Sequence, residues 1–90
     1  MPTFFLRFSL IEIFENHTIK MIEVFKTNVQ EADESKLIVG KLLMHFPGNR
    51  INFDLSDCDR ILRVEGENIC SKTIMALMTA DGYQCEILLD

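Results

Sequence analysis

The sequence predicts an α+β sandwich: a four-stranded antiparallel sheet with two helices on one face. Three observations predict it. From residue 21 onward six segments follow in the order strand, helix, strand, strand, helix, strand. Residues 21–55 and 59–90 each repeat the design strand, helix, strand, so two similar units are expected to pack their helices on one shared face. Finally, 90 residues of which 48% are hydrophobic supply one core and no second domain, because a chain of this size buries only about 60% of the surface it exposes when unfolded.

The first strand spans residues 21–27. Ile22 and Val24 alternate with Glu23 and Phe25, the period-two pattern of a half-covered sheet. That alternation assigns Ile22 and Val24 to the helix side. Asn28 ends the strand. The first helix is expected over residues 31–46, with Ala32, Ser35, Val39, Leu42 and Phe46 spaced three and four apart and Ile38 and Leu43 widening the stripe. Glu31, Asp33 and Glu34 fall in its first turn, where the helix dipole favours carboxylates. Pro47 and Gly48 stop it.

In the second strand, residues 50–55, Ile51, Phe53 and Leu55 point one way and Asn52 and Asp54 the other. Residues 56–59 form a turn rich in side chains that bond their own backbone. The third strand, 60–65, places Leu62 and Val64 toward the helices and Arg63 away. The second helix starts among residues 68–71 and presents Ile74, Leu77 and Met78. Gly82 gives it a left-handed stop, and the fourth strand, 83–89, closes the sheet through Cys85, Ile87 and Leu89.

Right-handed crossovers in both halves put the first and third strands at the centre and the second and fourth at the edges. This is the ferredoxin-like βαββαβ sandwich. Its uncovered face is expected to carry Glu23, Phe25, Asn52, Asp54, Arg63, Gln84 and Glu86.

Residues 1–20 read as a separate N-terminal extension. Four of the seven phenylalanines lie here (Phe4, Phe5, Phe8, Phe14), yet Arg7, Glu12 and Glu15 break every apolar run before it reaches spanning length. A secretory leader would need basic residues, an unbroken apolar stretch and a cleavage site, and its pattern is not met. Leu6, Phe8 and Leu10 alternate like a short strand, and residues 16–20 read as a polar linker. Either the start is assigned too far upstream, the preferred expectation, or the segment is an extra edge strand or partner-binding arm.

From residue 21 the chain resembles the heavy-metal-associated, copper-chaperone-like domain family. The residues that carry the likeness are Ile51 to Leu55 (INFDL), Leu62 to Glu65 (LRVE), Ile74 to Met78 (IMALM) and the closing Asp81-Gly82-Tyr83 before an alternating strand. The resemblance implies the same fold. In metal-binding members it also implies a Met-x-Cys-x-x-Cys loop between the first strand and first helix, whose paired thiolates hold a soft ion such as Cu(I). Here the two cysteine positions fall on Ala32 and Ser35. No cysteine lies between Met21 and Asp57, so no register shift restores the pair.

The expected function is therefore a small non-catalytic binding or interaction module, with an unidentified protein partner meeting Phe25, Asn28 and Gln30, and no cofactor. The alternative is metal handling through Cys58 with Asp57 and Asp59, and with Glu31 and Asp33 at the same end, a mixed oxygen and sulfur set suited to zinc or a harder ion. An exposed turn cysteine among solvated acids is the preferred reading of that cluster. Cys70, before the second helix, is placed where a helix amino terminus can lower a thiol pKa, with a cap or packing role the preferred reading, and Cys85 reads as a small buried hydrophobe. Met44, Met75 and Met78 read as core fillers, and His45 as a residue at the carbonyl end of the first helix. With His17 in the linker, neither histidine sits at a spacing that pairs it with a nucleophile, so an enzyme is not expected.

A net charge of −5, a pI near 4.9 and seven scattered basic residues beyond Lys20 disfavour nucleic acid, which needs clustered Lys and Arg. Three cysteines without short spacing fit a reduced, cytoplasmic protein, and a membrane is not expected.

Overall fold

A computed structural model describes residues 12–13 and 19–88. In chain order its elements are β1 (Glu12–Ile13), β2 (Ile19–Thr27), α1 (Ala32–His45), β3 (Arg50–Asp54), β4 (Ile61–Gly66), α2 (Ser71–Ala80) and β5 (Cys85–Ile87). Strands β5, β2, β4 and β3 pair antiparallel in that order, which is the ferredoxin-like βαββαβ arrangement. Within this unit β2 and β4 are the central pair and β3 and β5 flank them, as the handedness of the crossovers requires, while β1 adds a fifth strand beside the start of β2.

β2 starts two residues earlier than the alternation suggests, because Ile19 and Lys20 pair with Ile13 and Glu12 of β1. Ile19 and Lys20 are thus strand rather than linker. The expected strand at Leu6, Phe8 and Leu10, together with His17 and Leu89, lies outside the described residues.

Cross-strand register corrects the faces of β2. Phe25 stands opposite Leu62, and Glu23 opposite Val64. Paired residues share a face, and Leu62 and Val64 are wholly buried beneath the helices. Phe25 is therefore core, at 0% exposure, and Glu23 at 6% points the same way. Ile22 and Val24 occupy the other face, opposite Glu65 and Arg63. The expectation that Phe25 and Glu23 lie on the open face is wrong. Period two fixes which residues share a side, but not which side faces the helices.

α1 is held at its start by Glu31, an extended N-cap residue. The Glu31 backbone N–H donates to Glu34 Oε1 at 3.2 Å, satisfying an amide at the helix start while placing negative charge on the positive end of the dipole. Ile38 and Leu42 form its buried line. α2 begins after Cys70 and buries Ile74 and Met78. Beyond it Gly82 takes φ 89°, and this left-handed turn lets the Tyr83 N–H donate back to the Met78 carbonyl at 3.0 Å. Phe25, Val29, Ile38, Leu42, Leu62, Val64, Ile74 and Met78 make one core between sheet and helices. No helix among the described residues is long and apolar enough to cross a membrane.

Candidate functional site

Three connections meet at one end of the sandwich: the β2–α1 loop, the turn between β3 and β4, and the turn from α2 into β5. The chain builds this end from short polar side chains that bond across it. The Thr27 N–H donates to the Asp59 carbonyl at 3.0 Å, and Thr27 Oγ1 donates to the Arg60 carbonyl at 2.6 Å. The Gln84 N–H donates to Asn28 Oδ1 at 2.9 Å, tying the first loop to the entry of β5. Val29 turns inward to full burial, its N–H donating to Thr27 Oγ1 at 3.2 Å. The loop is thus pinned by one buried side chain while Asn28 and Gln30 remain exposed on either side of it.

Arg60 joins the second turn to the first. Its φ of 47° is a left-handed value that costs a residue with a Cβ about 1–2 kcal/mol. The guanidinium bridges outward from that position, with Nη1 donating to the Leu55 carbonyl at 2.7 Å and Nη2 to Gln30 Oε1 at 3.2 Å. Tyr83 completes the end. Burial of its ring and the negative charge of Glu34 both hold its hydroxyl pKa above the ordinary phenol value. Around this frame lie the carboxylates of Glu31, Asp33 and Glu34 in the first turn of α1 and of Asp57 and Asp59 in the β3–β4 turn, giving the end an acidic character.

Ala32 and Ser35, the positions that the resemblance sets against the family's two cysteines, lie in the first turn of α1. The Ser35 hydroxyl donates to the Ala32 carbonyl at 2.7 Å, so it is spent on the helix backbone. A methyl group and a neutral hydroxyl do not replace thiolates for a soft cation, and the copper chemistry of the resembled family does not fit these residues.

Asp57, Cys58 and Asp59 each bring one donor atom within 4.8 Å of the others. Glu31 and Asp33 do not join them. All three donors come from consecutive residues of one turn, and Asp57 Oδ1 accepts the Asp59 N–H at 2.8 Å, so part of this donor capacity serves the turn. Cys58 and Asp57 are exposed and Asp59 is half-buried.

The other cysteines are dispersed. Cys70 is exposed at the far end. The Thr73 hydroxyl donates to its sulfur at 3.1 Å, and this bond, with the Thr73 backbone amide and the Lys72 charge, lowers its thiol pKa. Burial, with the Glu86 charge, pushes the Cys85 thiol up to about 12, consistent with a small hydrophobe against the core. Met78 and Met75 pack as core fillers, but Met44 is 82% exposed, because it lies two positions beyond the buried Leu42 on the outward side of α1. His45 Nδ1 lies 3.2 Å from the Lys41 carbonyl at the helix end.

Asn28 and Gln30 were legible as members of this end, while Arg60, Val29 and Tyr83 were not. A lone loop valine between Asn28 and Gln30 is the one signal that an inward anchor was present. No family profile, curated protein or solved structure matches this chain.

Proposed function

We propose that the chain is a non-catalytic interaction module, a copper-chaperone-like scaffold without its sulfur clamp, whose contact surface is the end formed by Asn28, Gln30 and the neighbouring acids. The observation that carries this reading is the bracing of Asn28 and Gln30. Each is exposed, and each is held by a bond to a different element, Gln84 in one case and Arg60 in the other. Side chains fixed before contact lose less entropy on binding, which favours a recognition surface over a solvated loop. The acids around them suit a protein partner with a basic patch and disfavour nucleic acid. Free cysteines suit the reduced cytoplasm.

The test is affinity capture with the wild-type chain and the N28A/Q30A double variant side by side, at low and high salt. The proposal predicts a protein retained by wild type and lost from the variant, with recovery falling as salt rises. Equal recovery on both counts against this surface. Phe25 is not a useful probe, since changing it removes a core side chain.

The closeness of the donors in Asp57, Cys58 and Asp59 motivates a second reading, in which this turn holds zinc or a harder ion. It predicts that Zn(II) binds reduced protein and that C58S abolishes binding. Titration showing no binding above background ends it.

A further inference from the structure

The edge strand β3 reads Arg50-Ile51-Asn52-Phe53-Asp54, a sequence that complements itself when reversed. β4 is its one strand neighbour among the described residues. We propose that β3 pairs antiparallel with β3 of a second copy of this chain about a two-fold axis at Asn52, joining the two sheets edge to edge into one. This pairing is separate from the partner surface at the loop end.

The register follows from charge and face together. With Asn52 opposite Asn52 of the second copy, each Arg50 meets an Asp54, and each Ile51 meets a Phe53. Arg50, Asn52 and Asp54 are exposed on the face the helices leave open, whereas Ile51 and Phe53 are half-buried on the helix side. Opposite charges therefore meet in solvent and apolar groups meet on the sheltered side. A one-residue slip would set Ile51 against Asn52 and mix the faces. A two-residue slip leaves both Arg50 and Asp54 without an opposite charge.

Two further observations fit. A groove of about 480 Å³ runs between α1 and β3, lined by Ala32, Val39, Ile51, Phe53 and Leu55 among others. It lies beside the apolar residues that the pairing brings together. The strand also lacks the proline and lysine that commonly protect an edge. The Ser56 hydroxyl donates to Asp54 Oδ1 at 2.6 Å and holds the carboxyl below the ordinary carboxylate pKa. Asp54 carries a charge opposite to that of Arg50, which within the chain stands across from Glu65 of β4.

The test is sedimentation and native mass spectrometry of the full 90-residue chain over a range of concentration. Wild type is expected to dimerise reversibly. R50D sets an aspartate against Asp54 of the second copy at both ends of the pairing, and D54R sets arginine against arginine, so each should raise the dimer dissociation constant about tenfold or more. An equimolar mixture of the two variants yields a heterodimer identified by mass, in which one strand carries only acids at these two positions and the other only arginines, so both contacts again join opposite charges. Circular dichroism checks that each variant is folded. Should D54R lose its turn with Ser56, the salt dependence of the wild-type dimer serves instead, and its dissociation constant should rise with ionic strength. A wild-type chain that stays monomeric, including one whose edge is covered by its own N-terminal residues, overturns the proposal. So does a dimer indifferent to salt and to both substitutions, or folded variants that form no heterodimer.

Discussion

The side-chain oxygen of Asn28 accepts the backbone N–H of Gln84 at 2.9 Å, linking the loop after β2 to the entry of β5. The bond closes one end of the sandwich between segments far apart in sequence. Asn28→Ala removes it and leaves the Gln84 amide to solvent. A loss of about 0.5–1.5 kcal/mol is expected, read as a lower urea midpoint with an unchanged slope. A variant as stable as wild type would show that this end closes without the bond.

Phe25 and Leu37 give opposite results for similar apolar truncations. Phe25 is wholly buried, and Phe25→Ala should cost about 3–5 kcal/mol, enough to unfold much of a small domain. Leu37 is 76% exposed, and Leu37→Ala should stay within about 0.5 kcal/mol of wild type. Chemical denaturation of the pair checks the face assignment of β2. A mild Phe25→Ala would return that residue to the open face.

Arg60 combines an unfavourable backbone angle with favourable side-chain bonds. Arg60→Ala keeps the strain and loses the bridge to Leu55 and Gln30, so it should be less stable than Arg60→Asn, whose side chain tolerates the left-handed region. Thermal unfolding of the two variants orders them. An alanine variant equal to or above asparagine would mean that φ at residue 60 relaxes on substitution.

Thiol chemistry should separate the three cysteines. Cys58 and Cys70 are exposed, while Cys85 is partly buried with its pKa pushed up to about 12. In native protein near pH 8, alkylation followed by mass mapping should label Cys58 and Cys70 and spare Cys85 until denaturant is added. A thiol that stays protonated when folded contributes stability that is fully present below its unfolded pKa, near 9.0, and is lost as pH rises from there through about 12. Stability should therefore fall over that alkaline window, and Cys85→Ser should reduce the fall. Rapid native labelling of Cys85 would contradict the packing.

Much of the fold was legible because local signals agreed. Glu31 and Phe46, the expected limits of the first helix, are its two caps, and Gly82 takes the left-handed turn that its position after α2 suggests. Strand order followed from crossover handedness. The face of β2 was not legible, since Ile22, Val24 and Phe25 are all apolar and a charged Glu23 reads as outward. Pairing with Leu62 and Val64, a relation between distant segments, decided it. The loop end was legible as a place but not as a mechanism: nothing local marks Arg60 as left-handed or joins its guanidinium to Gln30.

The account rests on Ala32 and Ser35 being unable to clamp a soft ion. Its most direct test is a Cu(I) competition titration of the reduced 90-residue protein against a chromogenic chelator, with wild type and C58S in parallel. The expected result is that the chelator keeps the copper in both cases. One equivalent of copper withdrawn by the wild-type chain and held at the Asn28 end, by Cys58 or by any other donors, would contradict it.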